Sequence, residues 1–421
     1  MSADFAPAAP RPKMLFLSFT YPTSGGSGIQ LRSAALLRML AKNADVHLLI
    51  AGYVEKLGGP RDRKLEKCCR QIAYLRILPG AETRGAWARL NTQVEPIDLP
   101  AIDCAQGEAA ERIVRFYQAN NLDCLFVFRL EALHFVGQRL DFFPLRYLDL
   151  DELPSRRMAQ IRRLKPNDAP GTLSTRQKTV GTVEQILERV LLPRFHRVFV
   201  ASALEADEVR RLTGFSRCLM LPNIYPARPD APARRIAARS EIFFVGTLGY
   251  YPNADAALYF CREILPLIRE KKDVLFRIVG MGSSEALECM SKQSGVELMG
   301  YQENLAPFYA QAALFAVPLR AGTGTRLKIL EAFAHGCVVV STSIGAEGLA
   351  VTHRKNILLA DDPVAFAQAC IEMIDNPELA AQIAAEASRL HRELYSDEAL
   401  LRCYANITTA EYCDISVETT L

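Results

Sequence analysis

The sequence predicts an α/β protein built from two parallel-sheet units. Three observations carry this. Short apolar runs alternate with segments of helical period along most of the 421 residues. The apolar runs are nearly continuous, as strands are when helices cover both faces of a parallel sheet. The alternation breaks between 224 and 239, where Pro226, Pro229 and Pro232 sit among alanines and arginines, and then starts afresh.

In order, residues 14–19 read as a strand, followed by a glycine-bearing loop. A helix places Ile29, Leu31, Ala34, Ala35, Leu37 and Leu40 on one face, and 45–50 is the next strand. The spacing then predicts a helix over 108–120, a strand over 123–128, a helix over 131–140 and a strand over 145–148 that ends in Asp149 and Asp151. A helix over 174–192, a strand over 196–200, a helix over 203–213 and a strand over 218–221 complete the first half. After the break come strands at 242–245, 274–279, 296–299, 313–317, 337–341 and 356–359. Helices fit at 253–269, 304–310, 326–335 and 363–375. Residues 377–412 read as largely helical, with a break and an N-cap at Tyr395-Ser396-Asp397.

Composition narrows the function classes. Half the residues are apolar and 23% are charged, which is globular composition. A net charge of +3 is too weak to suggest nucleic-acid binding. The 11 cysteines are scattered, without C-x-x-C spacing, so free thiols in a reducing compartment are expected rather than zinc or disulfides. No signal peptide and no run of about 18 apolar residues is recognisable, so a cytoplasmic location is expected, with peripheral membrane contact left open. Arg156, Arg157, Arg162, Arg163 and Lys165 form either a solvated face or an anion-facing patch.

Ligands of parallel α/β domains bind beyond the carboxyl ends of strands. Three such places stand out. The loop at 24–28 carries Gly25 and Gly26, where backbone can approach an anion at a helix N-terminus. It is neither a G-x-G-x-x-G fingerprint nor a P-loop. The densest candidate is Arg320-Ala321-Gly322-Thr323-Gly324-Thr325-Arg326-Leu327-Lys328-Ile329-Leu330-Glu331. Its glycines and threonines precede a helix whose first turn holds Arg326 and Lys328. Cations oppose the macrodipole there, which makes sense if a diphosphate fills the space. Glu331 follows on roughly the same face as Lys328, where a carboxylate could accept hydrogen bonds from a ribose diol. The third is Asp149-Leu150-Asp151-Glu152, which could orient an acceptor hydroxyl, take its proton, hold a metal or simply form a turn. The histidines form no metal-ligand cluster, no G-x-S-x-G elbow occurs, and Trp87 lies in an irregular stretch.

The second half carries, in order, Phe244-Val245-Gly246-Thr247-Leu248, Tyr251-Pro252-Asn253, Arg277-Ile278-Val279-Gly280-Met281-Gly282, Gly295-Val296-Glu297-Leu298-Met299-Gly300, Lys328-Ile329-Leu330-Glu331-Ala332 and Gly345-Ala346-Glu347-Gly348-Leu349. Taken together these blocks resemble the C-terminal domain of GT-B glycosyltransferases, and family 4, the retaining group, in particular. The first half is similar more loosely, through Gly25-Gly26 and Leu221-Pro222-Asn223. The resemblance implies two Rossmann-like domains facing each other across a cleft. They are an acceptor-side domain over 1–223 and a nucleotide-sugar domain over 241–395, with a linker over 224–240 and a helix over 396–421 that returns to the first domain.

It also implies roles. Glu331 contacts the donor ribose, Arg326 and Lys328 lie by the diphosphate, and Glu347 and Gly345 approach the sugar or nucleotide. Gly300-Tyr301 holds the base, and Gly25, Gly26, Gly246, Gly280, Gly324 and Thr325 complete the donor site. Asp149 and Asp151 stand on the acceptor side. Two departures matter. Family members often carry an earlier glutamate where this chain has Thr323, and an Arg and a Lys in the loop that here reads Thr247-Leu248-Gly249-Tyr250-Tyr251. Arg326 and Lys328 are expected to supply the missing charge.

The implied activity is transfer of a sugar from a nucleoside-diphosphate sugar to a glycan, lipid-linked or small-molecule acceptor, with no metal and no further cofactor. The alternatives are a sugar-nucleotide epimerase on the same fold, or a nucleotide-sugar or glycan binding protein without catalysis.

Overall fold

The computed structural model describes residues 11–53, 61–78, 101–164, 185–226, 240–282, 288 and 290–405. Trp87, Lys165, most of the proline-bearing break and the chain beyond 405 lie outside these residues. Contacts divide the chain into two compact units. The first comprises the described residues up to Asp151 together with Arg189–Val200 and Arg210–Leu219. The second takes the described parts of Glu152–Glu188, Ala201–Val209 and everything from Met220 onward.

The first sheet runs through β1 (Lys13–Ser18), β2 (Asp45–Tyr53), β3 (Cys69–Leu78), β4 (Ala101–Ala105), β5 (Cys124–Phe128), β6 (Leu145–Asp151), β7 (Arg197–Val200) and β8 (Cys218–Met220). Their spatial order is β4-β3-β2-β1-β5-β6-β7-β8. Pairing is parallel on both sides of β1, with Phe16 opposite Leu48 and Phe126. The order therefore reverses between β1 and β5, the place where a parallel sheet opens a crevice. Helices α1 (Gly28–Asn43), α2 (Arg63–Glu66), α3 (Ala109–Ala119), α4 (Arg129–Val136), α5 (Pro154–Arg163) and α6 (Ala203–Thr213) occupy the connections. The core is aromatic: Phe16 stacks on Phe126 at 5.5 Å between ring centroids, and Phe126 on Phe199 at 6.0 Å.

Strands β3 and β4 fall where no regular pattern is expected from the residues. β3 carries Arg70, Gln71 and Arg76 among its apolar residues, so its period is diluted. β6 runs three residues past the expected end at 148 and takes both aspartates into the sheet. A register shift against β7 lies between Asp149 and Asp151.

The second sheet consists of β9 (Ser240–Val245), β10 (Val274–Val279), β11 (Val296–Leu298), β12 (Leu314–Val317), β13 (Val339–Ser341) and β14 (Leu358–Leu359), in the order β11-β10-β9-β12-β13-β14. It too is parallel, with Phe244 opposite Ile278 and Phe243 opposite Phe315. Its reversal lies between β9 and β12. Helices α7 (Tyr251–Tyr259), α8 (Leu265–Arg269), α9 (Ala306–Gln311), α10 (Leu327–Ala334), α11 (Pro363–Asp375) and α12 (Pro377–Leu394) follow. A π turn, Phe260–Ile264, separates α7 from α8. Pro266 lacks the N–H that would bond one turn back, so a wider turn there is expected. After α12 the chain breaks at Tyr395 and Ser396, and Ser396 Oγ accepts from the Ala399 N–H as the expected N-cap. Among the described residues no helix is long and apolar enough to cross a membrane.

Candidate functional site

In the second unit the carboxyl ends of β9, β10 and β12 meet. Gly246 ends β9. A Cβ there would lie 2.8 Å from Asn253 Cγ and 3.0 Å from Lys328 Nζ, so glycine is what lets these side chains close on the backbone. Gly280, at φ +146°, ends β10, and a Cβ there would strike the Gly246 carbonyl. Lys328, in the first turn of α10, donates to Asn253 Oδ1 at 2.8 Å, and its Nζ lies 4.7 Å from the Phe244 ring centroid. Burial first, and then the nearby Arg326 guanidinium, pull the ammonium down to about 7, against an opposing pull from Glu331. A cation with a neutral hydrogen-bond partner at a helix N-terminus is suited to receive an anion.

Arg326 stands one residue before α10, as its N-cap in extended conformation rather than in the first turn. Its buried guanidinium turns back and donates to the carbonyls of Thr323 and Gly324. It therefore braces the loop from inside. That loop needs left-handed backbone at Gly322 and Gly324, with φ of +131° and +72°. The outer donors of the loop are already engaged. The Gly322 N–H donates to Gln160 Oε1 at 2.8 Å, the Thr323 hydroxyl to Glu152 Oε2 at 2.7 Å and the Gly324 N–H to Glu205 Oε1 at 3.2 Å. Glu152 thus brings a carboxylate to the position where the resemblance lacks one. Thr325 is buried, and its Oγ1 has no partner among the described residues.

Glu331 accepts from the Tyr225 hydroxyl at 2.8 Å. Glu347 pairs with Arg156 at 2.5 Å, and Arg156 also reaches Glu208 at 3.0 Å. Arg157 pairs with Glu152 at 2.6 Å. Of the clustered basic residues, Arg156 and Arg157 are thus ion-paired, and Lys165 lies outside the described residues. Gly345 packs so closely that a Cβ would meet Ser341, Val317 and Thr342. Tyr301 follows Gly300, at φ +64°, and is 66% exposed.

In the first unit, Gly25 and Gly26 precede α1. The Gly25 N–H donates to Thr23 Oγ1 at 3.3 Å, and Gly26 has φ +145°. Asp149 is fully buried and bidentate with Arg32, at 2.8 and 2.6 Å. Burial raises its pKa, and Arg32 opposes that. Asp151 shares Arg32 at 3.3 Å and accepts from Arg129 at 2.8 Å. Asp151 is the last residue of β6 and Arg129 the first residue past the neighbouring β5, and both hold left-handed backbone, at φ +63° and +67°. Non-glycine residues rarely do so, and such strain collects at functional positions.

Comparison with known proteins bears on the second unit first. Residues 239–376 match the family model described as glycosyl transferases group 1. That match lies within the second unit and covers less than half of the chain. A Klebsiella pneumoniae protein described as an uncharacterized 44.6 kDa protein in the cps region is 28% identical over 167 residues. That match spans 38% of this chain and 43% of the relative. Among solved structures, sucrose-phosphate synthase from Thermosynechococcus elongatus superposes with a TM-score of 0.67 at 15% identity, covering 96% of this chain and all of that one. Anabaena Alr3699/HepE, in complex with UDP and glucose, gives a TM-score of 0.64 at 14% identity over 95% of this chain and all of that one. The fold is GT-B, as the sequence resemblance implied.

Within residues 239–376, the sequence singles out Gly246, Gly280, Tyr301, Gly324, Thr325, Arg326, Lys328, Glu331 and Glu347. Lys328, Gly246 and Gly280 gather at the strand ends, whereas Arg326 supports the loop behind them. Asn253, Tyr225, Gln160 and Glu205 were missed. Asn253 had a signal, since it lies in the quoted Tyr251-Pro252-Asn253 block. The other three act over more than a hundred residues of chain, which no local pattern reveals. Arg32 and Arg129 of the first unit were missed too. Arg32 carried a weak signal, a charge set beside Leu31 on the apolar stripe of α1. Among the described residues no group of three or more His, Cys, Asp or Glu side chains is placed to hold a metal.

Proposed function

We propose that the protein transfers a sugar from a nucleoside-diphosphate sugar to a hydroxyl of a glycan, lipid-linked or small-molecule acceptor, with retention at the anomeric carbon. One observation carries the reading: the Lys328 ammonium, held by Asn253 beside Gly246 at the N-terminus of α10, with Glu331 on the same helix. As the glycosidic C–O bond breaks, charge develops on the departing diphosphate. Lys328 and the first backbone N–H groups of α10 are the donors that stabilise it. Glu331 takes the ribose hydroxyls, and the exposed Tyr301 offers a face to the base. Asp151, clamped by Arg32 and Arg129, stands on the acceptor side. The HepE structure contains UDP, which makes UDP sugars the first donors to try.

The test is product analysis. The protein is incubated with UDP-, ADP- and GDP-sugars and a panel of sugar and lipid-linked acceptors, and products are separated by mass and by anomeric NMR coupling. A new glycoside with the donor's anomeric configuration is expected. An epimerised donor without glycoside indicates an epimerase. Donor that binds, shown by a raised melting temperature, yet stays intact with every acceptor indicates a binding protein.

A further inference from the structure

We infer that Tyr225 is a positioning residue whose hydroxyl sets the Glu331 carboxylate for the ribose diol. The inference rests on the donor reading of Glu331 given above. Tyr225 lies five residues past β8 and is 7% exposed. Its hydroxyl donates to Glu331 Oε1 at 2.8 Å. Its own backbone is tied on both sides. The Tyr225 N–H donates to the Tyr395 carbonyl at 3.1 Å, and the Tyr225 carbonyl accepts from His391 Nε2 at 2.8 Å. His391 is buried on α12, and α12 is in turn docked on α10 through Ser388 Oγ, which donates to the Phe333 carbonyl at 2.8 Å. Glu331 and the residue that grips it therefore rest on one helix.

The chemistry follows from geometry. A carboxylate that takes both hydroxyls of a ribose must present its two oxygens in one plane, at a fixed rotation. A glutamate on a helix surface has three rotatable side-chain bonds, and ordering them on binding weakens affinity. A phenol that donates to one oxygen fixes the rotation in advance and leaves lone pairs on both oxygens for the ligand. The tie extends to the neighbouring loop, because the Tyr395 hydroxyl accepts from the Ala350 N–H at 2.7 Å, just past Glu347.

Calorimetric titration compares UDP, ADP and GDP, and the tightest of them with its 2′-deoxy analogue, in the parent, Tyr225→Phe, Glu331→Gln and the double variant. The parent is expected to prefer the ribonucleotide, and Tyr225→Phe to lower that preference by about tenfold, with little change in affinity for the deoxy form. In the Glu331→Gln background, Tyr225→Phe is expected to change the preference no further, since it acts through the carboxylate. A folded Tyr225→Phe that keeps the parent's preference overturns the inference while leaving the donor reading intact. A parent with no preference, or no binding to any of the three, overturns the donor reading itself and the inference with it. If Tyr225→Phe melts below the assay temperature, Glu331→Asp serves instead. It keeps the charge but withdraws it from the Tyr225 hydroxyl, so lost preference is expected and retained preference overturns the inference.

Discussion

Lys328 Nζ donates to Asn253 Oδ1 at 2.8 Å, so the cation at the end of β9 is held by a neutral amide. Burial then favours its neutral form, and an anion bound beside it is expected to restore the charge.

With a pKa of about 7 in the empty protein, Lys328 is largely uncharged at pH 8.5. A bound diphosphate favours the ammonium, so binding at that pH takes up close to one proton. Titration with UDP in two buffers of different ionisation enthalpy measures the uptake. Affinity is expected to fall by up to about tenfold per pH unit above 7. Zero uptake removes Lys328 from the anion site. The same shift has a stability sign. The unfolded lysine titrates at about 10.4, so between pH 7 and 10 the unfolded chain binds more protons and the empty protein gains stability from this group as pH rises. The gain is lost as pH falls back through 7.

Lys328→Met and Arg326→Ala separate binding from support. Lys328→Met is expected to weaken UDP binding by about ten- to a hundredfold while leaving the melting temperature of the empty protein unchanged or higher, because it removes a desolvated charge. Arg326→Ala releases the carbonyls of Thr323 and Gly324 and is expected to destabilise by about 2–3 kcal/mol. Equal melting temperatures for the two variants would contradict the division of roles.

Asp149→Asn tests the buried pair in the first unit. It replaces the bidentate carboxylate of Arg32 with a neutral amide while Arg32 keeps its longer contact with Asp151 at 3.3 Å, and a loss of about 3 kcal/mol is expected. Urea denaturation reads it. A loss below about 1 kcal/mol means that Arg32 finds a substitute partner.

Asp151→Asn asks a different question. Asparagine tolerates left-handed backbone, so the strand end keeps its shape, but the charge facing Arg129 is gone. A lower transfer rate at saturating donor with unchanged UDP affinity is the expected outcome. Asp151→Val is expected to cost about 1–2 kcal/mol more stability, since a β-branched residue resists positive φ. A full transfer rate in Asp151→Asn takes Asp151 out of the acceptor side.

Much of the fold was legible because helix-covered parallel strands write themselves as unbroken apolar runs. β9, β10 and β12 are such runs, and each was found within two residues of its ends. β3 was not, because its charged residues dilute the pattern. At the site, glycines were informative where backbone must pass close, as at Gly246 and Gly280. The roles of Arg326 and Lys328 were not separable, since a sequence gives both the same charge two residues apart. Only the N-cap conformation turns one inward to the loop and leaves the other at the strand end. The partners of Gly322, Thr323 and Gly324 lie on segments far away in sequence, and three-dimensional proximity of that kind leaves no local trace.

The hydrogen bonds to Gly322, Thr323 and Gly324 have a practical consequence for anyone dividing the gene. Gln160, Glu152 and Glu205 come from segments that precede the group 1 match at 239–376, as does Tyr225. A fragment cut at the proline-bearing break would contain residues 239–376, yet its glycine loop would lose all three acceptors and Glu331 its phenol. Such an excised piece is expected to be soluble only with its loop remodelled, and a poor surrogate for ligand screening. Truncation boundaries for this protein belong where contacts end, which is not where the recognisable domain begins.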